Sequence, residues 1–79
     1  MKHKSLSELK QDLAFNLRTT RLSRGLAQEK LALEADVDRT VVSKIERGVT
    51  NPSLEILLRL ANQMDVELWQ LLLAVPPEE

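Results

Sequence analysis

Gln28-Glu29-Lys30-Leu31-Ala32 and, after a gap of five residues, Asp38-Arg39-Thr40-Val41-Val42-Ser43-Lys44-Ile45-Glu46-Arg47-Gly48 form the stretch on which the fold turns. It reads as two short helices joined by a tight turn. The first, from about Ala27 to Ala35, buries Leu31, Ala32 and Ala35. The second starts with Asp38 as its N-cap and stops at Gly48, which supplies the left-handed residue past a helix end. At about 100° per residue, Asp38, Val41, Val42 and Ile45 point one way, and Arg39, Thr40, Ser43, Lys44 and Arg47 share an opposite arc of about 140°. Glu46 falls at the edge of the buried side.

Working outward, Ser5-Leu6-Ser7-Glu8 fits a capping box and starts a first helix near Leu6. Leu6, Leu9, Leu13 and Leu17 then share a face, and Gly25 closes the helix. On the other side, Asn51-Pro52-Ser53 opens a fourth helix whose inner stripe is Leu54, Leu57, Leu58, Ala61 and Met64. A last helix, about Val66 to Val75, is stopped by Pro76-Pro77. Only two Gly and three Pro interrupt a chain of 79 residues that is 43% apolar and 29% charged, so an all-α, compact five-helix domain is expected. The domain spans residues 6–75, with tails at 1–5 and 76–79.

A chain this short buries only about 60% of its unfolded surface, which leaves little room for an enzyme site. His3, the single histidine, lies in the basic tail, so neither a metal cluster nor a Ser-His-Asp constellation has members. Asp36/Asp38 flank a turn and Glu78/Glu79 sit in a tail, which makes both poor catalytic carboxylate pairs. No Gly-rich phosphate loop is present, and no cofactor is expected. Without cysteine, signal peptide or long apolar run, the expected location is cytoplasmic, with no membrane partner.

The net charge of −1 argues at first against a nucleic-acid partner. Its distribution argues the other way, because Lys and Arg exceed Asp and Glu up to Thr50 and the reverse holds from Asn51 onward. The arc from Arg39 to Arg47 holds no carboxylate, and its residue types donate to base edges and phosphates. A merely solvated basic face is the alternative for such a cluster in isolation. Placement separates the two readings. Ala32 permits close approach of two steeply crossed helices, the turn between them has three or four residues, and Val37 and Val42 plug the angle. These features predict a helix-turn-helix over about 28–47 that reads double-stranded DNA.

On these residues the chain resembles the lambda-repressor-like family of bacterial and phage regulators, the XRE or Cro type. Arg21 through Ala32 is similar to its first-helix exit and second helix, and Asp38 through Ser53 to its recognition helix and following loop. Restriction-modification controller proteins are similar in length and in this helix. The resemblance implies that Gln28 contacts a phosphate and braces the reader helix. It also implies that Arg39, Thr40 and Lys44 face base edges, and that Ser43, Arg47 and Asn51 grip the backbone. Arg21 and Glu46 match a family ion pair. Two positions depart from the pattern: Ala27 stands where Ser or Thr caps helix two, and Asp36 replaces the usual turn Gly.

The last helix carries Val66, Leu68, Trp69, Leu71, Leu72, Leu73, Ala74 and Val75, too many apolar residues for one face. Trp69, Leu72 and Leu73 are therefore expected at a homodimer interface, which a helix-turn-helix protein needs to span two half-sites of a palindromic operator. The alternative is that all of them fill the monomer core. RNA polymerase is a further expected contact. The rival function is an antitoxin-type interaction subunit with secondary DNA binding, which would need a broad exposed surface for its toxin.

Overall fold

The computed structural model describes residues 3–75; the expectations for Pro76-Pro77, Glu78/Glu79 and the first two residues of the basic tail lie outside them. Among the described residues the chain is all-helical: α1 (Leu6–Ser23), α2 (Gln28–Glu34), α3 (Val41–Glu46), α4 (Leu54–Gln63) and a 3-10 segment (Leu68–Leu72). The expected fifth α-helix is thus a 3-10 segment instead. α1 packs on α3 and the 3-10 segment, α2 on α3 and α4, and α4 also on the 3-10 segment. One core joins them, built from Leu13 and Leu17, Leu31 and Ala32, Val42 and Ile45, Leu57 and Leu60, and Met64 and Leu71 among others.

The capping box at α1 forms as the sequence predicts. The Ser5 hydroxyl accepts from the Glu8 N–H at 3.1 Å, and Glu8 Oε1 accepts from the Ser5 N–H at 3.0 Å. Ser53 caps α4 by accepting from the Ile56 N–H. Ala27 gives α2 no side-chain cap, an omission that costs about 1 kcal/mol relative to Ser or Thr.

All four α-helices end the same way. A left-handed residue follows each one, Gly25, Asp36, Gly48 and Asp65 in turn, with φ between 57° and 70°. The next N–H then reaches back five residues: Leu26 to the Arg21 carbonyl, Val37 to Ala32, Val49 to Lys44 and Val66 to Ala61. This closure satisfies carbonyls that would otherwise be orphaned at the helix end. Asp does replace Gly in the turn between α2 and α3, and it does so a second time after α4.

On α1 and α4, three expectations about facing fail. Leu6 on α1 and Leu54 and Leu58 on α4 are exposed, and Leu60 takes the inner position on α4. The buried stripe of α4 is therefore Leu57, Leu60, Ala61 and Met64, rotated away from the one expected. The last segment departs for a different reason. The Asn16 amide of α1 donates to the carbonyls of Leu71 at 3.1 Å and Leu73 at 2.8 Å, so a side chain occupies acceptors that a continuing helix would use. Leu73 then turns extended (φ −61°, ψ 138°), and the Val75 N–H reaches the Asp12 carboxylate. Lys4 pairs with the same carboxylate, and its hydrogen bond is the main cause that holds the Asp12 carboxyl below its ordinary range.

The two left-handed aspartates yield a prediction. Glycine reaches φ near 60° without the Cβ clash that an L-residue meets there. The Asp36 carboxylate lies 3.6 Å from Arg59 but is almost fully exposed, so that pair contributes little. Asp36→Gly is expected to stabilise the domain by about 0.5–1 kcal/mol, raising the thermal midpoint by a few degrees. A lowered midpoint in thermal denaturation would refute the strain assigned to this turn.

Candidate nucleic-acid interface

The turn Ala35–Thr40 carries the chain from α2 into α3. Ala32 is fully buried at the crossing of the two helices and Val42 is buried beside it, while Val37 packs partly buried against the same core. α3 begins later than the sequence suggested. Its first α-helical residue is Val41, and Arg39 and Thr40 form a tight turn closed by the Val41 N–H on the Asp38 carbonyl at 3.0 Å. Asp38 still acts as a cap for that turn: its Oδ1 accepts from the Thr40 N–H at 2.8 Å and from the Thr40 hydroxyl at 2.6 Å. It is exposed rather than turned inward as expected. These bonds, the hydroxyl first and the N–H second, hold the Asp38 carboxyl below the usual carboxylate range.

Arg39, Thr40, Lys44 and Arg47 are exposed and Ser43 is half-buried, whereas Val42 and Ile45 are buried. The Arg47 Nε donates only weakly to its own helix, to the Ser43 carbonyl at 3.4 Å. Asn51 is exposed in the loop before α4. Thr40 differs from the sequence expectation in one respect. Its hydroxyl proton is committed to Asp38, which leaves the oxygen as an acceptor and the methyl as an apolar contact.

A buried polar network holds this surface in place. Arg21 Nε donates to Glu46 Oε2 at 2.7 Å and its NH2 group to Oε1 at 3.0 Å, a two-pronged pair whose side chains are 8% and 3% exposed. The Arg21 NH1 group donates to the Leu26 carbonyl at 2.7 Å. Gln28 Nε2 donates to Glu46 Oε1 at 3.0 Å, so Gln28 braces α3 directly. The bond to Glu46 holds the Arg21 guanidinium above its ordinary pKa despite burial. Among the described residues no buried side-chain polar atom lacks a partner. Sequence reasoning missed two supports outside this network. Arg24 Nε donates to the Met64 carbonyl at 2.8 Å, and the Arg59 NH1 group donates to the Asp36 carbonyl at 2.9 Å. Neither has a local sequence signal, since both are side chains bonding a distant backbone carbonyl.

With this geometry in hand, comparison with known proteins is direct. The helix-turn-helix family profile matches residues 17–68. The chain belongs to the XRE-type helix-turn-helix family. A hypothetical transcription factor of Neisseria meningitidis serogroup B is 40% identical over 72 residues, covering 91% of this chain and 66% of that protein. Control protein C.BamHI of Bacillus amyloliquefaciens is 42% identical over 52 residues, covering 65% of this chain and 64% of its own. The crystal structure of the hypothetical transcription factor NHTF from Neisseria superposes with a TM-score of 0.82 at 35% identity, covering 94% of this chain and 85% of that one. The restriction-modification controller protein C.AhdI from Aeromonas hydrophila gives 0.75 at 39% identity, covering 78% and 94%. This XRE-type chain spans less than two thirds of the length of each curated relative it matches. Among its described residues no helix is long and apolar enough to cross a membrane.

The network gives the second prediction. Glu46→Ala leaves the Arg21 guanidinium buried without its counter-charge and removes the acceptor of Gln28. It is expected to cost about 3–5 kcal/mol in chemical denaturation, against about 1 kcal/mol for Gln28→Ala. Equal and small losses for both would show that the pair does not anchor α3.

Proposed function

We propose that this protein is a transcriptional regulator that binds double-stranded DNA sequence-specifically as a homodimer, with α3 and its preceding turn in the major groove. The observation that carries the reading is the exposed set Arg39, Lys44 and Arg47, on α3 and the turns that flank it, with α3 held by the buried Arg21–Glu46–Gln28 network, in a chain of the XRE-type family. Arg39, Thr40 and Lys44 are the base readers in this proposal. Arg binds guanine through two donors, and the Thr40 methyl suits a thymine methyl. Gln28, Ser43, Arg47 and Asn51 grip the phosphate backbone, which sets register without reading sequence.

Substitution separates these roles. Arg39→Ala should cost about 1–3 kcal/mol on the preferred duplex and relax its sequence preference, whereas Arg47→Ala should weaken all duplexes alike and lower the salt slope by about one. Selection from a random duplex pool followed by anisotropy titrations at several salt concentrations measures both. If Arg39→Ala loses as much on random as on selected DNA, it does not read bases.

The dimer is the second element of the proposal. Trp69 and Leu73 are exposed and Leu72 is half-buried. Residues three apart eclipse in a 3-10 helix, so Trp69 and Leu72 share one face. Such an apolar face suits a twofold mate, and half-site centres about 34 Å apart would follow. Trp69→Ala is expected to shift sedimentation from dimer to monomer at micromolar concentration with the monomer fold intact. A native protein that sediments as a monomer at that concentration would refute the interface.

A further inference from the structure

A cleft of about 270 Å³ opens between the N-terminal halves of α1 and α4, beside the 3-10 segment; Leu72 lines it and Trp69 does not. Its walls are Leu6, Leu9 and Leu13 from α1, Leu54 and Leu57 from α4, and Leu72 from the 3-10 segment. Leu6 and Leu54 at its mouth are 58% and 72% exposed, so large apolar groups meet water there. Lys10 and Asn51 supply the polar edge. Lys10 is half-buried and has no hydrogen bond or ion pair among the described residues.

A second, more polar cleft adjoins the first and shares Leu6 and Lys10 with it. Arg47 and Gly48 line its far side. Among the described residues, a leucine-walled slot is thus edged by an ammonium with no counter-charge, and the adjoining cleft by a guanidinium with no carboxylate partner. An apolar slot edged by a cation is complementary in chemistry to an anion carried on an apolar tail. The volume lies just under the range of about 300–1,000 Å³ that accommodates drug-sized ligands, which restricts the occupant to a single short chain.

We propose that this cleft binds an aliphatic carboxylate, its hydrocarbon chain among the leucines and its carboxylate on Lys10, facing Arg47. Apolar walls supply the affinity and the one charged group fixes the orientation. Asn51 lines this cleft and Arg47 the adjoining one, and both belong to the proposed phosphate grip. A bound carboxylate would compete there with DNA phosphate, which makes the ligand an effector that weakens DNA binding. That last consequence rests on the DNA reading; the ligand site does not.

Octanoate is the probe, titrated into isotope-labelled full-length protein without DNA. Saturable binding is expected, with methyl shifts centred on Leu6, Leu9, Leu54 and Leu57. Lys10→Gln should weaken octanoate about tenfold, the size of one charge-assisted hydrogen bond, and leave octan-1-ol unchanged. Leu54→Ser, at an exposed position, should weaken both. Non-saturating shifts, shifts centred on Trp69, or octylammonium binding as well as octanoate would overturn the site. In duplex titrations octanoate should raise the apparent dissociation constant at least threefold for the native protein and not for Lys10→Gln. No rise overturns the effector role. A native protein that binds no duplex overturns the proposed function, and the DNA-free titration still decides the ligand site.

Discussion

The buried pair of Arg21 and Glu46 is the constraint on which the rest of the structure depends. It joins the end of α1 to the end of α3, and through the Leu26 carbonyl and Gln28 it also fixes the entry to α2. Three helices thus meet at one carboxylate and one guanidinium. A pair of this kind is a weak source of net stability, because desolvating both charges offsets much of their attraction, yet losing either partner is costly. Its contribution is geometric. α3 has only six α-helical residues, far below the length at which an isolated helix persists in water. Its orientation must come from what it touches, and at its C-terminal end it touches this network.

The helix ends apply the same logic to the backbone. Each of α1 to α4 is short or amphipathic, and each is stopped by one left-handed residue followed by a five-residue return bond. The residue that donates each return bond also packs an apolar side chain against the core in three cases, Leu26, Val37 and Val66. The exception is Val49, which is exposed and follows α3 into the loop toward Asn51. Fixed stops keep the connections short, and short connections hold α2 against α3, with Ala32 and Val42 buried.

Much of this was legible in the chain itself. The capping box at Ser5, the left-handed stops at Gly25 and Gly48, the core positions of α2 and the basic arc of α3 all rest on local patterns that tertiary contacts leave intact. The Arg21–Glu46 pair came from resemblance rather than from spacing, because residues 25 apart carry no periodic signal. What failed was the facing of runs that are apolar on every side. Leu54-Glu55-Ile56-Leu57-Leu58-Arg59-Leu60 allows more than one stripe, and packing against α2 and the 3-10 segment selects Leu57 with Leu60 over Leu54 with Leu58. The last segment failed for a related reason: its leucines suit a helix, but the Asn16 amide and the Asp12 carboxylate on α1 take its backbone groups first. At the site, the exposure of Lys44 was readable from its angle on α3, whereas Asp38, given an inward angle, is exposed because it precedes the helix. The commitment of the Thr40 hydroxyl to Asp38 was not readable, because it depends on α3 beginning with a tight turn.

The net charge of −1 misleads because it sums charges that are spatially sorted. Among the described residues, Lys4 pairs with Asp12, Arg21 with Glu46, Lys30 with Glu34, and Arg59 with Glu55 and Asp36. The acids therefore neutralise cations along α1, α2 and α4. Glu46 is the one acid within α3, and it is turned inward to Arg21 and Gln28. Among the described residues, Arg39, Lys44 and Arg47 have no ion-pair partner, nor does Lys10. The Asp38 carboxylate lies within electrostatic reach of Arg39 and Lys44, and two hydrogen bonds from Thr40 hold it in the turn. At physiological salt, charges farther apart than about 8 Å are largely screened. An approaching phosphate responds to the local surface rather than to the sum, and on α3 that surface is cationic.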